Sequence, residues 1–504
     1  MNNNRPAIFL ISCTFYIINI FLFPNIVSTW GQASFDSIVP GKLKIKVSPE
    51  NRVKNLILLI PDGMGVTHST LARWYKGADN LSNGTSDRAM TSLAIDELAC
   101  GLVRTYSSNS LITDSAAAIT AMGTGHKTQS GFLAVLPRRD QRELDQDHQL
   151  GSAGAKHEEQ SVQTILEAAK LSGRSVGLVV TSEIQHATPA GLSAHVNNRN
   201  AMDVIAKQQV DQQMDVVLGG GADYLLPEKR KDKEDLLAEI KRQKYIYVSN
   251  REELLKTNTH RPKVWGAFAP LDLPYDFDRD PKKIPSLKEM TEKAIEILQR
   301  NKRGFFVMIE GSKIDWAAHA NDPVGVISEV LSFDDAAKVA IDFAKKRNDT
   351  VVIIAADHST GGLSLGSYQL DKNYELTPWN SVFPPLLKVK KTAAGVFALL
   401  DKDRTNIQSV VKENYLPDLS PEELKILAAT FTLPTQTKEK FIAELVRLMV
   451  KRTPLSWTTI GHTGEEVVLY VYHPKMFRPT GVVSNTDIAA YMAGVLGIKL
   501  GKLD

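Results

Sequence analysis

The chain has 504 residues, 43% hydrophobic and 23% charged, which excludes a disordered or collagen-like polymer and allows about two to four domains. A formal net charge of +3 is small for this length and gives no reason to expect a nucleic acid or an anionic membrane as partner.

Met1 to Arg5 is polar with one positive side chain, Ala7 to Phe23 is almost uninterruptedly apolar, and Pro24 ends the run. Small residues follow around Val27-Ser28-Thr29 and Gly31-Gln32-Ala33. This is the layout of a secretory signal peptide, so residues 1–32 read as an export signal and 33–504 as the mature, periplasmic or secreted chain. The apolar run is long for a signal. An uncleaved anchor is therefore the alternative, and the one route to membrane contact. Leu10-Ile11-Ser12-Cys13 also resembles a lipoprotein cleavage box, but the apolar run continues past Cys13, which makes that the weaker reading. With Cys13 in the export segment, Cys100 stands alone and stability must come from core size and bound metal rather than a disulfide.

Strand-like and helix-like runs then alternate. Asn55 to Ile60, Val176 to Thr181, Val216 to Leu218, Phe305 to Ile309 and Val351 to Ala356 read as strands, with Val467 to Tyr472 as a late strand near a sheet edge. Val162 to Leu171, Leu287 to Leu298 and Val326 to Ala344 read as helices. Such alternation predicts a three-layer α/β/α sandwich with a largely parallel central sheet. Glu228 to Lys244 is a mixed-charge run, read as a solvated helix face. The stretch of about 368–457 is too long for a simple connection and carries amphipathic patterns such as Phe441 to Met449. It reads as an inserted subdomain over the carboxyl edge of the sheet.

The chemistry-bearing residues cluster at the ends of these strands. Asp357-His358 follows Val351 to Ala356, Pro61-Asp62-Gly63-Met64-Gly65 follows the first strand, and Glu310-Gly311 follows Phe305 to Ile309. Asp315 and His319, four apart, share a helical face. His462 lies between glycines, and Thr113-Asp114-Ser115 precedes an alanine-rich helix whose N-terminus suits an anion. Gln185-His186-Ala187-Thr188-Pro189 and His195-Val196-Asn197-Asn198-Arg199 follow the Val176 strand. Singly, each has a plain reading: a turn, a surface pair, a helix cap, a solvated arginine. Jointly they point to metal chemistry. Mixed carboxylate and imidazole donors suit zinc, an oxygen set of Asp, Glu and Thr suits magnesium, and two metals clamp the attacking and leaving oxygens of a phosphoryl transfer.

In these motifs the chain resembles the alkaline phosphatases. Pro61-Asp62-Gly63-Met64-Gly65, Thr113-Asp114-Ser115-Ala116-Ala117, Gln185-His186-Ala187-Thr188-Pro189-Ala190, Glu310 to Asp315 with His319, Ala356-Asp357-His358 and His462-Thr463-Gly464 occur in the family's order over nearly the whole mature length. The resemblance implies a phosphomonoester hydrolase with two Zn2+ ions and a third ion, usually Mg2+. One zinc would take Asp315, His319 and His462, and the other Asp62, Asp357 and His358. The third ion would take Asp62, Thr188 and Glu310. Ser115 matches the family's nucleophile, Arg199 would grip two phosphate oxygens, and Asp114 would steady that arginine. The best-known enteric form has aspartate and lysine where this chain has His186 and Trp316. Both positions border the third ion and the phosphate, so the identity of that ion is left open. Small-molecule phosphomonoesters are the implied partners, with a homodimer common in the family.

Two rivals share the fold. A phosphodiesterase of the same superfamily commonly uses threonine and lacks the arginine. A sulfatase needs a C/S-x-P-x-R context, whereas three alanines follow Ser115. An exported, catalytically silent phosphate- or metal-binding protein is the rival of another class. Its weakness is that every ligand position, the serine and the arginine are present.

Overall fold

The computed structural model describes residues 47–84, 91–137, 159–258, 263–368, 375, 383–432 and 437–501. The export segment lies outside the described residues.

Ten strands form one sheet: β1 (Asn55–Ile60), β2 (Ala99–Arg104), β3 (Ser175–Glu183), β4 (Val216–Gly220), β5 (Ile246–Val248), β6 (Val264–Ala267), β7 (Phe305–Glu310), β8 (Thr350–Ala355), β9 (Val467–Tyr472) and β10 (Gly481–Ser484). Their order is β10-β2-β9-β8-β1-β7-β3-β4-β6-β5. Every pairing is parallel except the two made by β9, which runs antiparallel to β8 and β2. β1, β7 and β8 are buried along their whole length, which is why they read as unbroken apolar runs. One group of helices, Ser115–Thr124, Ala187–Ser193 and Asn485–Leu496, packs together. A second, Val66–Ser82, Leu287–Leu298, Lys313–His319 and Pro323–Lys345, packs together likewise. With right-handed crossovers between parallel strands, helices cover both faces of the sheet, giving an α/β/α sandwich.

β9 lies third from one end of the sheet, near its edge as expected, and runs antiparallel between β8 and β2. One expectation needed revision. In the 228–244 run, helix Leu236–Arg242 does present exposed charge, but Arg230 is fully buried. Its guanidinium donates to Asp232 and to the carbonyls of Tyr224 and Asp203. A buried guanidinium needs such complete pairing.

Parallel register sets the site. Leu59 of β1 lies opposite both Ile309 of β7 and Ile354 of β8, and Val180 of β3 lies opposite Glu310. The carboxyl ends of β8, β1 and β7 therefore finish at one level, and β3 runs past it to Glu183. Residues 383–432 and 437–457 build a second core around Phe383, Val411, Tyr415, Leu427, Phe441 and Leu445. It is completed by Leu71 and Ala78 of helix Val66–Ser82 and by Val324 and Ile327 of helix Pro323–Lys345. The carboxyl end of this stretch pairs antiparallel with 363–364, Leu363 with Trp457 and Ser364 with Ser456.

Candidate active site

Asp62 and Asp357 emerge two residues beyond β1 and β8, and Glu310 ends β7. Between them Gly63 turns the chain at φ +71°, and a Cβ there would sit 2.7 Å from the Asp315 Cα. Only glycine admits that approach, which brings Asp315 beside the strand ends. Asp315 and His319 lie on helix Lys313–His319, and His319 Nε2 stands 3.3 Å from Asp315 Oδ2. His462 is drawn in by pairing of 462–463 with 359–360. Its Nε2 lies 3.1 Å from His319 Nε2 and 3.7 Å from Asp315 Oδ1, and its ring stacks on His358 with centroids 3.6 Å apart.

His358 Nε2 faces Asp357 Oδ2 at 3.2 Å and Asp62 Oδ1 at 3.6 Å. The Ser115 hydroxyl is 3.1 Å from the same nitrogen, at the first position of helix Ser115–Thr124. Asp114 caps that helix, its Oδ1 accepting from Ala117 N at 3.0 Å. Its Oδ2 accepts from Gly131 N at 2.9 Å and from Arg199 Nη1 at 3.1 Å. A Ser–His proton-transfer pair is the simplest reading of Ser115 and His358. Two carboxylates converging on that same Nε2 make a cation site the better one.

Backbone carbonyls orient the imidazoles. Nδ1 of His462 meets the Thr113 carbonyl at 2.8 Å, and Nδ1 of His319 meets that of Ile460. With Nδ1–H so engaged, Nε2 is the free donor pair in both rings. Asp357 Oδ1 accepts from Gly63 N and His358 N, leaving Oδ2 turned into the site.

Donor supply tests whether metal ions fit. Both oxygens of Asp62, both of Glu310, Asp357 Oδ2, Thr188 Oγ1 and His186 Nδ1 are buried without a hydrogen-bond partner. The ion-pair partners of Asp62, Asp315 and Asp357 are histidines. Four buried carboxylates with so little compensation are costly unless cations occupy the space among them. Burial, then the charges of Asp357, Asp315 and Glu310, pushes Asp62 well above the ordinary carboxylate range, and burial raises Glu310. Burial opposes ionisation of Asp357 and Asp315 too. For Asp357 the charge and hydrogen bond of His358 together, and for Asp315 the His319 hydrogen bond together with the charges of His358, His319 and His462, outweigh it and hold them low. Burial holds His462 and His186 down to about 4, neutral and able to donate a lone pair. Among the described residues, three groups of side chains have donor atoms close enough to share one ion: Asp62, Asp357 and His358; Asp315, His358 and His462; and Asp62, His186 and Glu310.

Of the expected site residues, Asp62, Asp357, His358, Asp315, His462, Glu310 and His186 belong to these groups, with His358 standing in the second where His319 was expected. Ser115, His319 and Trp316 reach the groups through one contact each, and the buried Thr188 hydroxyl has no hydrogen-bond partner. His186 does more than expected. It was read as a neighbour of the third ion, yet its donor atom converges with Asp62 and Glu310. Its ring meets Trp316 edge-on at 5.5 Å. His195, in the segment that carries Arg199, turns away to Glu167 at 2.8 Å and the Ala134 carbonyl. Two contributors were missed. Thr360 donates to Asp315 Oδ1 and lies 3.3 Å from His358 Nδ1. Buried Lys313 pairs with Asp272, donates to the Leu273 carbonyl and lies over the rings of Tyr275 and Trp316. Both flank residues singled out by sequence, but nothing in their spacing marks a role.

An α/β sandwich with a serine, an arginine and clustered carboxylates and imidazoles at the carboxyl edge of its sheet belongs to the hydrolases of phosphate esters. The alkaline phosphatase family model matches residues 53–498, and the chain belongs to the alkaline phosphatase family, whose members hydrolyse phosphomonoesters. It is 36% identical to alkaline phosphatase 3 of Bacillus subtilis, over 92% of this chain and 94% of that protein. The repressible alkaline phosphatase of Saccharomyces cerevisiae is 31% identical, with 90% and 83% covered. Among solved structures, Thermus thermophilus alkaline phosphatase superposes with a TM-score of 0.75 at 26% identity, covering 92% of this chain and 95% of that one. The cold-active enzyme from Shewanella sp. superposes with a TM-score of 0.72 at 28% identity, covering 88% and 99%. The chain is therefore a phosphomonoester hydrolase with metal-binding groups at its site.

Proposed function

We propose that Ser115 is the nucleophile of this phosphomonoesterase and that the phosphoryl group passes through a phosphoserine. The observation that carries this is the position of the Ser115 hydroxyl: buried, at a helix N-terminus, and beside the group Asp62, Asp357 and His358. The helix end favours the negative charge that develops on the serine oxygen and the phosphate. Arg199, steadied by Asp114, presents a planar fork to two phosphate oxygens, which favours a dianionic monoester over a diester.

Asp62, Asp357 and His358 would hold one zinc, and Asp315, His319 and His462 the other. When bound, these ions supply the positive charge that lowers the pKa of the serine and of water and that neutralises the leaving oxygen. Asp62, Thr188 and Glu310 would hold a third ion, with His186 within reach. An imidazole beside oxygen donors moves that site away from a purely magnesium-like set. In the related TAB5 phosphatase, a variant with a histidine replaced by aspartate has Mg bound in its M3 site. Export to the periplasm or medium fits the N-terminal sequence. Hydrolysis of a monoester and a diester at alkaline pH, with and without chelator, tests the reading. Preferred monoester turnover that chelation abolishes supports it, and activity that survives chelation contradicts it.

A further inference from the structure

Beside the catalytic cluster lies a cavity of about 770 Å³ with no part in the chemistry above. Its walls include Trp316, Ile442, Val446, Val450 and Trp457, and His319 forms part of it. One wall belongs to helix Thr437–Val450, whose buried face anchors it in the second core through Phe441, Leu445 and Met449. The opposite wall is the catalytic helix Lys313–His319. Trp457 is fixed between them, packed so closely on Gly361 that a Cβ there would stand 2.6 Å from its ring. The charged members, Glu439, Arg447 and Lys451, are exposed and belong to the rim. Arg447 is paired with Glu444 at 2.8 Å.

We infer that this cavity is the binding subsite for the alcohol portion of the substrate, and that it selects phosphomonoesters with a bulky apolar, aryl or branched-alkyl, leaving group. The inference rests on the proposed roles above. Ser115 attacks from one side of the phosphorus, so the leaving oxygen departs on the far side, toward Asp315, His319 and His462. His319 is shared by that ligand set and the cavity wall, so a group carried on the leaving oxygen has this space beside it. The volume falls within the range of small-molecule pockets, and an apolar lining with two indoles matches a hydrophobic guest rather than a sugar or a second phosphate.

The test compares 1-naphthyl phosphate with methyl phosphate in the metal-loaded, full-length protein and in two variants, Ala443→Glu and Ile442→Ala. Ala443 lines the cavity and is exposed, so the first variant places a carboxylate there without disturbing the core. The ratio of kcat/KM for naphthyl over methyl phosphate is expected to fall about tenfold or more in Ala443→Glu and severalfold in Ile442→Ala. In parallel, 1-naphthol should quench tryptophan emission of the unmodified protein saturably, and more weakly in Ala443→Glu. An unchanged ratio in both variants, or no saturable quenching, overturns the subsite. Absence of methyl phosphate turnover in the unmodified protein would instead count against the catalytic reading itself.

Discussion

Asp114 Oδ2 accepts from Arg199 Nη1 at 3.1 Å while its Oδ1 caps the helix that begins with Ser115. One carboxylate thus links the helix that carries the serine hydroxyl to the guanidinium proposed to grip phosphate. Replacing it separates two functions. Asp114→Asn keeps a capping oxygen and loses the ionic hold on Arg199, so product inhibition by phosphate should weaken about tenfold with little change in Tm. Asp114→Ala loses the cap as well and should cost about 1 kcal/mol of stability besides. Phosphate inhibition constants and thermal melts of both variants decide it; equal phosphate affinity in all three proteins would show that Arg199 needs no such support.

Thr360 touches both Asp315 and His358, the residues through which two of the three groups meet. Thr360→Val is nearly isosteric and removes only the hydroxyl. It should reduce metal affinity by about 10–100-fold, the usual cost of losing an outer-shell partner. Thr360→Ser should restore it. Release of zinc during chelator titration is the readout, and identical release curves would assign the threonine to packing alone.

Trp316 packs on His186 and under Lys313. Trp316→Lys should therefore change both phosphate inhibition and the response of activity to added magnesium. Metal dependence and product inhibition measured together check this, and no change in either would remove Trp316 from the phosphate environment.

Glu329 is buried on helix Pro323–Lys345, ten residues after His319, and accepts from Asp276 N at 2.7 Å. Burial pushes its carboxyl up to about 7. A raised acid pKa means the folded state holds the proton more tightly. Its stabilising contribution is present below about pH 4 and is lost as pH rises through 7. Glu329→Gln keeps the acceptor without the charge. It should melt at nearly the same temperature as the parent at pH 5 and several degrees higher at pH 9, reflecting about 2–3 kcal/mol. Equal melting differences at both pH values would place no ionisation at this residue.

How far the sequence anticipated this structure follows from which interactions are local. β1, β7 and β8 were legible because burial on both faces leaves an unbroken apolar run, and helix Leu287–Leu298 because its capping box and amphipathic period agree. Strands β2, β5, β6 and β10 were not, being short or bearing mixed residues such as Ala-Cys-Gly-Leu-Val-Arg, and their identity depends on long-range partners. The site's motifs stood out by composition and order. The convergence of His186 on Asp62 and Glu310, and the bridge from Thr360, depend on register between β1, β7 and β3 and on loop pairing. Neither is written in spacing.

The central claim is that Ser115 carries the phosphoryl group, and acid-quenched turnover followed by peptide mass analysis tests it most directly. The account predicts one phosphoryl group on the peptide containing Ser115 during monoester turnover, with neither adduct nor significant hydrolysis in Ser115→Ala. A phosphoryl group on another residue, or hydrolysis undiminished in Ser115→Ala, would contradict it.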